Sequence, residues 1–151
     1  MTASAEAAVQ HICAFYEQMT TFVQGLSEAY PSDYYVTMFR LMLITEAIPK
    51  PLLVEKFVQY VLPYEHLIVA RNDTFFTEDR AANFGPSHDL GGHMNGDAGM
   101  RLSTVWKEMD ETERNNMWDW FRLFTALAKK YAAANGTGSP DPSAAVHMVA
   151  S

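Results

Sequence analysis

Hydrophobic residues recur every three or four positions along most of this chain, which predicts a mainly helical protein. The first apolar stripe predicts a helix over residues 5–27. Ser4 can cap this helix, and Glu6 lies in its first turn. Gly25 weakens the end of this helix and Tyr30-Pro31 stops it. The residues expected on its buried face are Val9, Ile12, Cys13, Tyr16, Met19, Val23 and Leu26.

A second helix is predicted over residues 33–48, with Ser32 as its N-cap. This segment is apolar on nearly every side, so the helix is either central in the core or has one face that meets a partner. Its β-branched residues also allow a strand. The unbroken run of 15 residues from Tyr34 to Ile48 contains no turn signal, which favours the helix.

Prolines divide the next region into short helices. Pro49 ends the second helix, and Pro51 suits the first turn of a third that extends to about residue 62. Pro63 breaks this helix, and a fourth follows over residues 64–71. Asn72-Asp73 is then either a turn or the cap of a helical turn through Phe75-Phe76. The expected buried stripe of the third helix is Leu53, Phe57, Tyr60 and Val61.

The second half of the chain predicts two more helices. A short one covers residues 100–109 and contains Trp106, and a long one covers residues 111–134 after a D-x-x-E capping box at residues 110–113. Its apolar stripe comprises Met117, Phe121, Phe124, Leu127 and Ala128. Trp118 and Trp120 point about 200° apart on a helix, so they should meet different neighbours, and one of them is expected to face a partner.

These patterns together predict an all-α fold, an irregular bundle of about five to six helices. The helical domain is expected to comprise residues 1–134, interrupted by a long Gly/His-rich loop at residues 77–99. Residues 135–151 have the composition of a non-helical tail, either flexible or docked on a partner.

Composition narrows the function. Eleven basic against 18 acidic residues give a formal charge of −7 with no basic stripe, which argues against nucleic-acid binding. Charged residues make up only 19%, which is compatible either with apolar surface reserved for a partner or with a compact core. The first residues lack the features of a signal peptide. The longest apolar stretch, residues 34–48, contains Arg40 and Glu46 and is too short to span a membrane.

Candidate chemistry is sparse, and no cofactor is predicted. His88, His93, Asp89 and Asp97 are metal-ligand types, but His-x4-His in a glycine-rich loop matches no common zinc spacing. A polar surface loop is therefore the favoured interpretation, and a metal-dependent enzyme using His88 and His93 is the lesser alternative. Cys13 is the only cysteine, so no internal disulfide can form, and its place on the apolar stripe favours a core role over a nucleophile.

Three short sequence blocks resemble, in their order along the chain, a known group of proteins. The first is F-Y-x-Q-M-x-x-F-V at residues 15–23 followed by Tyr30-Pro31; the second runs from Pro63-Tyr64 to Phe75-Phe76; the third joins residues 105–107 to residues 117–128. Their order resembles that in small all-helical proteins of large double-stranded DNA viruses, algal and amoebal ones included, over about residues 12–130. Those proteins show F-P, R-D-x-x-F-F and I-W-x-Y-(F/L)-x-x-L elements.

The chain departs from this pattern at several positions. It has Tyr-Pro for Phe-Pro, an inserted Asn72, Met117 before Trp118, and Trp120 in place of the expected tyrosine. The histidine-glycine loop is an elaboration of its own. The resemblance implies a viral origin more than a mechanism, because proteins of this kind have no defined catalytic activity.

The resulting hypothesis is a non-enzymatic structural or assembly component of a large DNA virus particle, a minor capsid or inner virion protein. It would reside in the virion, and in the host cytoplasm during assembly. Its partners would be other virion components within a multi-chain assembly; the alternative is a soluble adaptor that binds a host or viral protein during infection. Candidate partner contacts are Phe75, Phe76, His88, His93, Trp118, Trp120, Val146 and Met148.

Overall fold

The computed structural model describes residues 3–81, 84 and 101–135, and these contain helices and no strand. This confirms the predicted all-α bundle. The helices are α1 (Ala3–Ala29), α2 (Tyr34–Ile44), α3 (Lys50–Tyr60), α4 (Glu65–Val69), α5 (Thr74–Thr77), α6 (Ser103–Glu108) and α7 (Glu111–Asn135), with a 3-10 turn at Leu62–Tyr64.

The two long helices, α1 and α7, pack side by side in opposite directions. Phe22 contacts Phe121 and Phe124, whereas Phe15, farther back on α1, contacts only the later Phe124. The Tyr30 hydroxyl after α1 donates to Glu113 near the start of α7, at 2.8 Å. Helices α2 to α6 are arranged around this antiparallel pair.

The core is a connected set of aromatic rings. Phe57 of α3 contacts Phe15 of α1 and Phe124 of α7, with ring centroids 5.1 and 6.1 Å away, and Phe84 contacts Phe57 at 5.4 Å. Each of these four rings is wholly buried. Edge-to-face pairs at such distances add about 0.5–1.5 kcal/mol each beyond the burial of their area.

The buried face of α1 matches the predicted one in part: Tyr16, Met19, Val23 and Leu26 are buried as expected. Cys13 and Val9 are exposed, whereas Phe15 and Phe22 are buried, so the expectation that Cys13 lies in the core was wrong. At 3.6 residues per turn, Met19 and Phe22 fall close to the direction of Phe15, while Cys13 points roughly 160° away. The large aromatic residues set the rotation of the helix, and the cysteine is left on the outside.

Helix α2 begins and ends differently from the prediction. Its N-cap is Asp33, whose carboxylate accepts from the Val36 amide at 2.9 Å, and not Ser32. It ends at Ile44 and not at Ile48. The chain turns there because Glu46 adopts a left-handed conformation with φ 55°.

Three helix ends share this geometry without glycine. After α2, α4 and α5, the left-handed residues are Glu46, Arg71 and Asp79, with φ of 55°, 52° and 49°. In each, two amides after the helix bond carbonyls of its last turn, which is the Schellman motif. Helix α4 therefore stops at Val69, earlier than predicted.

Asp79 also joins two distant segments. Its carboxylate accepts from the Ser103 amide at 3.1 Å and from the Ser103 hydroxyl at 3.0 Å, so it caps α6 from 24 residues away. Helix α6 consequently starts at Ser103 and not at residue 100. The capping box before α7 is confirmed by reciprocal bonds between Asp110 and Glu113 of 2.8 and 3.3 Å.

Candidate functional site

The predicted contact residues of α5 and the first tryptophan of α7 lie in the core. Phe76 stacks on Trp106 at 4.5 Å and contacts Trp118 at 4.7 Å, and Phe75 packs on Phe121 at 5.4 Å. Phe75, Phe76 and Trp118 are almost wholly buried. The hypothesis that these three contact a partner is therefore corrected, because their surfaces are already covered within this chain.

Trp120 behaves differently from Trp118, as the helical spacing predicts. It is partly exposed, stacks on Phe124 at 5.7 Å and lies 5.5 Å from Phe22. Its indole forms one wall of an open groove between the end of α1 and the start of α7. Among the described candidates, Trp120 alone remains available to a partner. His88, His93, Val146 and Met148 lie outside the described residues.

This α1–α7 groove has an apolar interior and a volume of about 170 Å³. Gly25 forms part of its α1 wall, and a Cβ added there would meet nothing within 4 Å. The residues that line the groove are Thr21, Phe22, Gly25, Leu26, Ala29, Tyr30, Met109, Glu113, Asn116, Met117 and Trp120. An engineered apolar cavity of about 150 Å³ holds a benzene molecule, so this space suits one amino-acid side chain.

A second depression of about 340 Å³ continues from the groove beyond Tyr30. It shares Ala29 and Tyr30 with the α1–α7 groove. Its other lining residues are Pro31, Ser32, Asp33, Thr104, Val105 and Glu108. We call this depression the outer compartment.

Carboxylate groups surround Tyr30, which lies at the boundary between the two spaces. Burial raises the pKa of Tyr30 to about 12, and the hydrogen bond to Glu113 and the charges of Glu113, Glu108 and Asp110 add to the rise. The Glu113 carboxylate accepts one bond on each oxygen, from the Tyr30 hydroxyl and from the Asp110 amide. It thus retains acceptor capacity, because a carboxylate offers about four lone-pair positions.

The outward face of α2 forms a second distinctive surface. Tyr34, Leu41 and Ile44 are 58, 46 and 47% exposed, and their spacing places them on one side of the helix. The opposite side packs into the core through Val36, Phe39 and Leu43. The α2 outer face, defined by Tyr34, Leu41 and Ile44, therefore exposes apolar area on a helix whose only charged residue is Arg40.

The described residues offer no metal centre: in residues 3–81, 84 and 101–135, no three His, Cys, Asp or Glu side chains lie close enough to share an ion. The loop containing His88, His93, Asp89 and Asp97 lies outside these residues. Cys13 is exposed on α1 and His11 is half-buried. No helix in the described part of the chain is both long and apolar enough to cross a bilayer.

Sequence reasoning did not predict the α1–α7 groove. Two signals were present: a glycine near the end of an otherwise regular helix, and a tyrosine placed just before the stop at Pro31. The capping interpretation of Glu113 was correct, but it accounts for only one of the two bonds that the carboxylate accepts, the one from the Asp110 amide and not the one from the Tyr30 hydroxyl. Which helix lies opposite Gly25 depends on tertiary packing and not on the local pattern.

Comparison of the chain with protein-family models, with curated proteins and with solved structures finds no match. The resemblance to small helical proteins of large DNA viruses therefore stays a prediction from the three sequence blocks.

Proposed function

We propose that this chain is a structural or assembly component of a large double-stranded DNA virus particle, a minor capsid or inner virion protein, and that it acts through protein–protein contacts and not by catalysis. The observation that carries the contact role is the α2 outer face. The viral setting rests on the ordered sequence blocks at residues 15–31, 63–76 and 105–128. In this proposal the protein resides in the virion, and in the host cytoplasm during assembly.

The α2 outer face suits an apolar face on a neighbouring chain of the particle. Burying a Leu or Ile completely stabilises by about 1.5–3 kcal/mol, and half of that remains to be gained by residues that are half exposed. Tyr34, Leu41 and Ile44 together thus offer about 3 kcal/mol toward association. Arg40 is the only charged residue of α2, so little desolvation of charge opposes the contact.

The particle itself provides the test. We expect mass spectrometry of purified virions to detect this protein at a defined copy number. A virus carrying Leu41→Glu with Ile44→Glu should incorporate much less of it, because two carboxylates would enter an apolar contact. Val69→Glu is a control for one added glutamate on an exposed apolar residue, since Val69 is 60% exposed on α4 and is not part of the α2 outer face; the single variants Leu41→Glu and Ile44→Glu match it in charge.

The possible results separate the hypotheses. Absence from particles together with presence in infected cells would contradict the virion role and favour the adaptor. Incorporation equal to wild type in the α2 variant would contradict the assignment of the contact to this face. Circular dichroism of each purified variant shows whether the helices are retained, so that loss of incorporation is not confused with loss of folding.

A further inference from the structure

The α1–α7 groove is open to the surface and has an apolar and aromatic interior. Gly25 forms part of its α1 wall, where an added Cβ would meet no atom within 4 Å. Glycine within a helix costs about 0.5–1 kcal/mol relative to alanine. The glycine thus lowers helix stability beside the groove.

The charged side chains that line the groove and its outer compartment have a single sign. Among the described residues that line the groove and its outer compartment, the ionisable acids are Glu113, Asp33 and Glu108, and there is no lysine, arginine or histidine. Glu113 is held in place by bonds from Tyr30 and from the Asp110 amide, so its position is fixed before any ligand arrives. A positively charged group meets an arranged acceptor here.

We propose that the α1–α7 groove binds a lysine or arginine side chain from a basic segment of a partner protein. The aliphatic stem lies along Gly25, Met117 and the face of Trp120, and the charged head reaches Glu113. Long cationic side chains bury their stems against apolar surface while keeping the head among polar groups. The aromatic wall adds cation–π attraction. The outer compartment receives the residues that flank this side chain in the partner.

This inference deepens the proposed contact role by naming the chemistry of one partner segment, and it concerns a surface distinct from the α2 outer face. The two can fail separately. A particle experiment that contradicts the virion role leaves peptide binding by the groove unaffected, and absence of peptide binding leaves the α2 result unaffected.

The test uses the full chain and a defined peptide. Acetyl-Leu-Arg-Leu-amide is titrated into uniformly ¹⁵N-labelled protein, and the indole N–H resonances of the three tryptophans are followed by NMR. We expect a saturable shift of the Trp120 signal, with the buried Trp106 and Trp118 as internal references. The matched acetyl-Leu-Glu-Leu-amide should bind at least tenfold more weakly. Raising the salt from 0.05 to 0.5 M should weaken arginine-peptide binding severalfold, because it screens exposed charges.

Two variants separate charge from shape. Glu113→Gln removes the charge while glutamine can still complete the capping box, so the fold should persist and binding should fall at least fivefold. The matched control is Glu17→Gln, an equal charge change on the exposed face of α1. Gly25→Leu adds a bulky side chain to the α1 wall of the groove without changing charge and should abolish the Trp120 shift, whereas Gln24→Leu, exposed and outside the groove, should not.

Several results would overturn the proposal. These are equal affinity for the arginine and glutamate peptides, wild-type binding by Gly25→Leu, and equal weakening by Glu17→Gln and Glu113→Gln. Spermidine is added as a further arm. If it produces the Trp120 shift at tenfold lower concentration than the arginine peptide, the groove is a site for small polyamines and the protein-partner assignment fails.

Discussion

Replacing Glu46 and Asp79 by glycine should change stability in opposite directions, although both residues occupy the same left-handed position after a helix. An L-residue in this conformation costs about 1 kcal/mol or somewhat more, and glycine removes most of that cost. The sign of the total effect then depends on the contacts that each side chain makes.

Replacing Glu46 by glycine removes only a weak side-chain interaction. Its carboxylate lies 3.4 Å from the Lys50 ammonium with both side chains well exposed, and such pairs stabilise by only about 0.2–1 kcal/mol. Glu46→Gly should therefore raise the free energy of unfolding by about 0.5 kcal/mol. Asp79 instead makes two bonds to Ser103, worth about 2 kcal/mol together at this half-buried site. Asp79→Gly should lower the free energy of unfolding by about 1 kcal/mol.

Alanine variants separate the two contributions. Alanine removes the side-chain contacts but keeps Cβ, so at each position the glycine variant should be more stable than the alanine variant by about 1 kcal/mol. Urea unfolding followed by circular dichroism measures all four variants. For a domain of this size the gap corresponds to about 2–4 °C in Tm. Equal stability of the alanine and glycine variants at both positions would refute the strain argument, and a stabilised Asp79→Gly would refute the role of the Ser103 bonds.

Three further outcomes are expected. Gly25→Ala should raise the free energy of unfolding by about 0.5–1 kcal/mol, because the methyl group meets no atom within 4 Å; a lower urea midpoint would contradict this. Phe76→Ala should lower it by about 3–5 kcal/mol and shift tryptophan emission to longer wavelength, since Phe76 contacts Trp106 and Trp118; a loss below about 1 kcal/mol would contradict the packing. The pKa of Tyr131 is raised to about 12, mainly by burial and next by the hydrogen bond to Glu55. As the pH rises, this tyrosine therefore ionises in the unfolded chain before it does so in the folded one, and the free energy of unfolding should fall between about pH 10 and 12. Tyr131→Phe should flatten that fall, and an unchanged slope would contradict the shift.

Much of the fold could be predicted from local pattern. Helix type follows from periodicity, and the capping box at Asp110 and Glu113 carries its own geometry in four residues. The ends of the helices were harder to predict than their presence. Glycine usually identifies a left-handed turn, but Glu46, Arg71 and Asp79 adopt it without glycine, so the stops after Ile44 and Val69 had no local signal.

The candidate surfaces were predicted less well, because exposure depends on which helices meet. Phe75 and Phe76 follow a turn, a position that favours a wedge onto the core and leaves a partner contact as the lesser alternative. The contacts of Phe76 with Trp106 and Trp118 show that the pair forms the wedge. The rotation of α1 depends on Phe15 and Phe22, which pack on α3 and α7. A periodic pattern that includes Val9 and Cys13 cannot reveal that preference.

The Asp79–Ser103 bridge has a consequence for how this chain could vary. The bridge joins Asp79 after α5 to Ser103 at the start of α6, 24 positions along the chain, so we expect these two ends to stay together when the connection between them changes in length. The entropy of closing such a connection grows only logarithmically, so doubling its length costs about 0.6 kcal/mol. Phe84 lies between these anchors and is buried against Phe39 and Phe57, so the tolerance we expect applies after Phe84. A reporter domain inserted between Phe84 and residue 101 would test it.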